Sequence, residues 1–218
     1  MRALALLVTS LLPLAAQAIE PAALGADALQ WTFRVLLDGS PIGEHRFSLR
    51  KKGETWDVAS DARFEIKLLG FTAYRYRHQA SETWQRGCLV ALESTTDDDG
   101  TPSKVSAATE GGVLVVKSSG DTRRLRGCSF SYAYWNAAML KQTTLINAQT
   151  GLAEPVRISR VGDGSLDVRG SETAAVRWRI NGPANPLDLW YSPQGDWLGL
   201  DSTVAGGRKL SYRLESTP

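Results

Sequence analysis

Between Phe71 and Gln85 the side chains divide by parity. Tyr74, Tyr76, His78, Ala80, Glu82 and Trp84 fall on one side, and Arg75, Arg77, Gln79, Ser81, Thr83 and Gln85 on the other. Successive Cβ atoms of a strand point to opposite faces, so this alternation predicts a strand with one face covered and one in water. The covered face is aromatic yet carries an imidazole and a carboxylate, which a core built only for packing rarely includes. That face is where a functional interior is to be sought.

The same period governs the chain on either side. Trp56, Val58, Ser60, Ala62, Phe64, Ile66 and Leu68 alternate with Thr55, Asp57, Ala59, Asp61, Arg63, Glu65 and Lys67. A run of about fifteen residues is long for a strand, whose usual length is ~5 to 6, and predicts a strongly curved sheet or a barrel wall. After an irregular segment over 19–29, Trp31, Phe33, Val35 and Leu37 predict a first strand, and His45, Phe47 and Leu49 share one face of the next. Gly-containing turns then separate further strands up to Arg126, giving an antiparallel meander.

The pattern changes past Cys128. Phe130, Tyr132 and Tyr134 end a strand, whereas 135–141 holds helix formers without alternation and predicts one short helix that plugs an end or covers an edge of the sheet. Strand periodicity returns around Val156 and Ile158, at Val176 to Ile180, at Leu187 to Tyr191, at Trp197 to Val204 and at Leu210 to Leu214. With no linker or repeat, the expectation is a single all-β domain over 30–216. Its meander closes into a barrel or a strongly curved barrel-like sheet, because closure removes exposed edges.

A chain of 218 residues with 43% hydrophobic and 22% charged residues can bury one core, which excludes a disordered polypeptide. Its formal charge of +2 shows no concentrated basic face, so no nucleic-acid partner is expected. Arg75 and Arg77, and Arg123, Arg124 and Arg126, read as solvated strand faces. Residues 1–18 read as a cleaved signal peptide: Arg2, an apolar run from Ala3 to Leu14, then Ala16-Gln17-Ala18. No cysteine follows for lipid attachment, and no later stretch approaches the ~18 apolar residues of a membrane span. The expectation is a soluble periplasmic protein without a transmembrane segment.

Cys88 and Cys128 each sit in an Arg-Gly-Cys triplet, and two cysteines in an exported chain predict one disulfide. They lack the Cys-x-x-Cys spacing of a redox pair. Two cysteines and two scattered histidines show no ligand spacing either, so no metal or cofactor is expected. Asp97-Asp98-Asp99-Gly100 lacks the closing Glu of a calcium loop and reads as a hairpin tip.

Several phrases carry a family resemblance: Trp31-Thr32-Phe33 through Asp38-Gly39, Ile42-Gly43-Glu44-His45-Arg46-Phe47, Phe130 to Asn136, Leu145 to Gly151, and Pro186 to Tyr191 through Trp197-Leu198-Gly199-Leu200. Over nearly the whole mature chain the sequence resembles the exported bacterial family catalogued as domain of unknown function 6134. The resemblance implies a secreted β-protein and no particular activity.

Three function classes follow from the residues. An enzyme finds little support, since no Gly-x-Ser-x-Gly elbow occurs and His45 and His78 are the only imidazoles. A hydrolase or isomerase built on His78 and Glu82 would need them in contact, yet four residues along a strand span about 13 Å. Asp188 and Asp201 read as surface charge. A non-catalytic binder or carrier is the favoured reading. Tyr74, Tyr76, His78, Glu82 and Trp84, joined by His45, Trp56 and Phe64, would shelter an apolar small molecule or lipid inside the barrel, with His78, Glu82 and tyrosine hydroxyls at its polar end. The plain alternative for each residue is a hydrogen-bonded place in a β-core. The third class is an envelope scaffold: Trp190, Leu198 and Leu200 oppose Leu189, Tyr191 and Trp197 in parity, so the last hairpin is apolar on both faces and is either sandwiched or an exposed patch. These residues name no protein partner.

Overall fold

The computed structural model describes residues 28–68, 71–182 and 185–216. Fifteen strands account for most of them: β1 (Ala28–Leu37), β2 (Ser40–Lys52), β3 (Thr55–Leu68), β4 (Phe71–Gln85), β5 (Cys88–Asp98), β6 (Thr101–Glu110), β7 (Val113–Ser118), β8 (Asp121–Arg126), β9 (Thr144–Ile146), β10 (Ala153–Pro155), β11 (Arg157–Val168), β12 (Ser171–Asn181), β13 (Leu187–Tyr191), β14 (Trp197–Val204) and β15 (Arg208–Ser216). Thirteen form one antiparallel sheet in the order β11-β12-β13-β14-β15-β1-β2-β3-β4-β5-β6-β7-β8, and β9 and β10 form a separate pair. The chain is therefore two meanders joined where β15 pairs with β1.

Two-residue turns set the register of the hairpins. Asp38-Gly39, Arg86-Gly87, Asp99-Gly100, Ser119-Gly120 and Arg169-Gly170 all take positive φ at both residues, the geometry that matches the twist of antiparallel strands. The Asp97–Gly100 run is such a tip, with Asp97 Oδ1 accepting the Gly100 amide at 2.8 Å. A different glycine serves β2. At Gly43 φ is 153° and a Cβ would lie 1.9 Å from the Arg63 carbonyl oxygen, so only glycine lets β2 and β3 approach there.

Alternation and burial agree along the long strands. On β4, His78 and Trp84 are buried and Tyr74, Tyr76, Ala80 and Glu82 half-buried, while Arg75, Arg77, Gln79 and Ser81 are exposed. Four features differ from the sequence expectation. The sheet does not close, since its edge strands β8 and β11 do not pair with each other. Those edges are blunted instead: β8 is six residues long and Arg-rich, and β11 carries charges and a register shift between Arg160 and Gly162. The expected helix over 135–141 is only a 3-10 turn, Ala137–Lys141, because Asn136 caps it and Gln142 is already extended five residues on. The Phe130–Tyr134 strand is absent apart from a parallel bridge between Ser131 and Ile146. Finally, β1 begins at Ala28 with Leu29 buried, inside the stretch expected to be irregular. The expected leader and the rest of that stretch lie outside the described residues.

An open curled sheet leaves an interior to fill, and the chain fills it with the segment that links its two edges. Leu89 donates its amide to Ser129 O, and a disulfide joins Cys88 to Cys128 with Cα atoms 5.1 Å apart. Phe130 and Trp135 then pack edge-on against Trp84 at 5.2 and 5.4 Å. Further along, Ser94 Oγ donates to Ala148 O at 2.5 Å and Ser103 Oγ to Gln149 O at 3.1 Å. Met139, Leu145 and Ile146 are sealed from solvent. This plug and the inward side chains make one continuous core.

Substituting Cys88→Ser with Cys128→Ser releases the entry of the plug. Closing a loop of forty residues removes on the order of 4 kcal/mol of unfolded-chain entropy, so the midpoint of urea unfolding is expected to fall accordingly. A midpoint unchanged from the oxidised protein would show that the plug holds without its tether.

Candidate functional site

Strand register brings part of the expected set together. His45, Ala62, His78 and Thr96 lie in one row across β2 to β5, and Gly43, Phe64, Tyr76 and Asp98 in the next inward-facing row toward the β5–β6 turn. Between the two imidazoles stands only the methyl of Ala62. Tyr212 of β15 and Tyr134 of the plug complete the group. Phe64 stacks on Tyr76 at 5.2 Å and meets Tyr212 edge-on at 6.1 Å, and His45 lies 5.7 Å from Tyr212. Tyr134 reaches Trp197 at 5.3 Å, which in turn stacks on Phe33 at 4.0 Å.

The polar atoms of this mouth are unevenly matched. His78 Nδ1 bonds Thr96 Oγ1 at 2.9 Å and His45 Nε2 bonds Ser60 Oγ at 2.7 Å. His45 Nδ1 is buried without a partner, although the residue as a whole keeps some accessible surface. Among the described residues nothing hydrogen-bonds the hydroxyls of Tyr76, Tyr134 or Tyr212. Tyr76 and Tyr134 are half-buried and Tyr212 keeps 9% of its surface exposed. Burial lowers His45 to a pKa of about 3, helped by repulsion from His78, and lowers His78 to about 4. Burial raises all three phenols; neighbouring tyrosines add to the effect at Tyr76 and Tyr212, and Glu154 adds to it at Tyr134. The imidazoles and phenols of the mouth are thus uncharged near pH 7.

The rest of the expected set lies elsewhere. Tyr74 sits at the tip and donates to Asp98 Oδ1 at 2.6 Å. Glu82 and Trp84 lie beneath the plug, where Trp84 Nε1 donates to Glu82 Oε2 at 2.7 Å. Burial raises the Glu82 pKa, and the neighbouring Ser131 hydroxyl opposes that rise although it makes no well-formed hydrogen bond. Trp56 is half-buried beside Trp84 in register, under the Lys51 ammonium at 5.9 Å. His78 and Glu82 thus have separate partners and form no acid–base pair. Ser60, Thr96, Tyr134 and Tyr212 went unassigned from sequence. Inward parity marks the first two, but nothing local marks the tyrosines, which arrive from distant segments.

A concavity lies on the other side of the sheet. A groove of about 940 Å³ crosses the outward face of β2 to β7, floored by small residues such as Ser48, Ala59 and Ser81. Glu93, Lys104 and Lys117 also line it, and none of its outward side chains is aromatic. Its lining is rich in charged side chains, with Arg46, Asp61 and Asp121 beside those three, and it offers no outward aromatic ring for an apolar body to lie against. The last hairpin, β13–β14, is not an exposed patch. Leu200 does not oppose Leu189 as its parity suggested: a bulge between Trp190 and Tyr191 pairs the two, so Leu200 faces inward. Leu198 is buried, Trp190 donates to Asp201 Oδ2 at 2.9 Å, and Leu166 of β11 lies against Gly199 from outside, so β11 covers the second face. Asp188 is held by two bonds from Arg179 at 2.7 Å, and Asp201 by Arg213, Ser211 and Trp190. Among the described residues no three His, Cys, Asp or Glu gather to hold a metal, and no helix is long and apolar enough to cross a membrane.

Two pH responses follow. The unfolded chain protonates its histidines near pH 6.5, whereas the folded one keeps them neutral to about pH 4, so stability falls as pH drops from 7 toward 4. The loss by pH 5 is roughly 2 kcal/mol per histidine, read as a lower urea midpoint that the double substitution His45→Gln, His78→Gln no longer shows. Carboxylates held low, such as Asp57 and Asp61, act below that window. Glu82 has the opposite sign: its raised pKa weakens the fold above the ordinary carboxylate range. Glu82→Gln is expected to raise the midpoint at pH 8, with the gap closing as pH falls toward 4.5. A constant gap would place its cause in packing.

Comparison with known proteins bears on fold and family. A solved beta-barrel-like protein of Domain of Unknown Function DUF1849 from Brucella abortus is similar with a TM-score of 0.65 at 12% sequence identity, covering 88% of this chain and 97% of that one. That likeness concerns the fold alone. No curated protein matches the chain. The family described as Domain of unknown function (DUF6134) matches residues 33–215, from Phe33 in β1 to the penultimate residue of β15, and the chain belongs to that family.

Proposed function

We propose that the chain is a non-catalytic binding protein that holds an apolar or amphipathic molecule at the aromatic mouth of the curled sheet. One observation carries this reading: polar atoms without partners, on His45, Tyr76, Tyr134 and Tyr212, converge among aromatic rings that the fold leaves half-covered. Of these atoms His45 Nδ1 is also sealed from water, and an unmatched buried donor or acceptor costs about 1 to 3 kcal/mol, which a purely structural core would avoid. The apolar body would lie against Phe64, Tyr76 and Tyr134, and its polar end would meet His45 and Tyr212. Glu82 and Trp84 take no part, since the plug covers them.

The compartment belongs to the same proposal. The Arg2 to Ala18 stretch has the build of an export signal, and a disulfide suits an oxidising compartment such as the periplasm.

The test is native mass spectrometry of the chain purified without detergent, before and after exposure to an aliphatic amphiphile. A one-to-one adduct is expected, weakened about tenfold by Phe64→Ala and untouched by Glu82→Gln, with circular dichroism showing both variants folded. A bare mass with no uptake would overturn the reading.

A further inference from the structure

The mouth selects by charge as well as by shape. Its two rows contain neither lysine nor arginine. The fixed charges that bear on its imidazoles and phenols are the carboxylates of Asp61 on His45, Asp98 on Tyr76 and Glu154 on Tyr134. An anionic head placed here would lose its water, gain no partner and face those carboxylates. Desolvating an unpaired carboxylate or phosphate costs several kcal/mol, more than a few hydrogen bonds from phenols return.

A cationic head is disfavoured by the same enclosure that keeps His45 and His78 uncharged, where desolvation outweighs the attraction of nearby Asp61; the other acids near the mouth already have hydrogen-bond partners. Asp98 accepts from Tyr74 at 2.6 Å. Glu154 accepts from Tyr132 at 2.5 Å and from Asn147 at 3.0 Å. What remains on offer is neutral. Each phenol can donate or accept one bond, and His45 Nδ1 either donates or accepts according to its tautomer. Those groups match an uncharged oxygen, whether carbonyl, ester or hydroxyl.

Resting on the binding reading above, we infer that the ligand is an uncharged lipid whose polar end is a hydroxyl or carbonyl, as in a long-chain alcohol, a neutral ester or a prenyl quinone, and that free fatty acids and phospholipids are rejected. The distribution of charge across the sheet gives the exclusion its basis. Arg46, Arg63, Arg75 and Arg77 flank the same rows but project to the outer surface, where they are exposed. A single residue of register shift would have put these cations inside.

Four probes of equal chain length separate the outcomes: hexadecanol, methyl hexadecanoate, hexadecanoic acid and hexadecylamine. They are added to the full chain at pH 7.5 below their aggregation limits, and affinity is read by native mass spectrometry and by isothermal titration. The alcohol and the ester are expected to bind at least tenfold more tightly than the acid and the amine, roughly the penalty of one unpaired charge. Acid or amine binding as tightly as the alcohol would overturn the selection for neutrality and leave a binding protein of another class. Failure of all four would overturn the binding reading itself and this inference with it. Tyr212→Phe adds a second readout: it is expected to weaken the alcohol and the ester several-fold by removing one partner of the ligand oxygen. Unchanged affinity for both would remove Tyr212 from the polar end.

Discussion

A sheet of thirteen strands that curls without closing must bury its concave face, and this requirement governs the rest of the molecule. Inward residues of β1 to β8 and of β12 to β15 are apolar or aromatic at nearly every second position, which commits that face to burial whether or not the edges meet. The chain meets the requirement with its own connection. The segment from Ser129 to Val156 leaves one edge, crosses the interior and returns to the other edge, so the gap between β8 and β11 becomes the route of the plug. Trp84 marks how tightly the two are joined. Its ring is enclosed by Phe130 and Trp135 and its indole nitrogen is bonded to Glu82.

The plug also divides the interior into two unlike halves. The half of the interior near Trp84, Leu89 and Leu92 is occupied by protein and is as dry as any core. The half near His45 and His78 is walled by aromatic rings, to which the plug contributes the half-buried Tyr132 and Tyr134. Electrostatics follows from the same geometry. Enclosure keeps both imidazoles and the phenols uncharged, while alternation sends the flanking arginines to water.

Local patterning made the strands, their faces and the disulfide legible from sequence. The period of two identified the inner faces of β1 to β4 and β12 to β15, because each buries one side and wets the other. The Arg-Gly-Cys triplets pointed to Cys88 and Cys128. What escaped is non-local. Closure is a question of which edges meet, and β8 and β11 carry no local mark that they stay apart. The Trp135 to Lys141 stretch contains good helix formers, but a run of five residues cannot sustain an α-helix, and tertiary packing turns it into part of a plug. The apolar second face of β13–β14 was visible as Trp190 and Leu198, whereas its cover, the returning β11, was not. At the mouth, His45, Phe64, Tyr76 and His78 came from adjacent strands and could be grouped by parity; Tyr134 and Tyr212 join them only through topology.

The seam between β1 and β15 carries a consequence for how the molecule is assembled. Asp38 accepts the Lys209 backbone amide across a separation of 171 residues, and Arg34 reaches Glu215 across 181. While the chain is being made, β1 therefore shows an unpaired edge bearing five apolar side chains, Leu29, Trp31, Phe33, Val35 and Leu37, until almost the last strand is available. Contacts of such long range are slow to form, and an edge kept waiting pairs with whatever matching strand arrives first. A second copy carries an identical β15. Crowded nascent chains are thus prone to exchange their final strands, and the order in which this seam closes separates a monomer from an entangled pair.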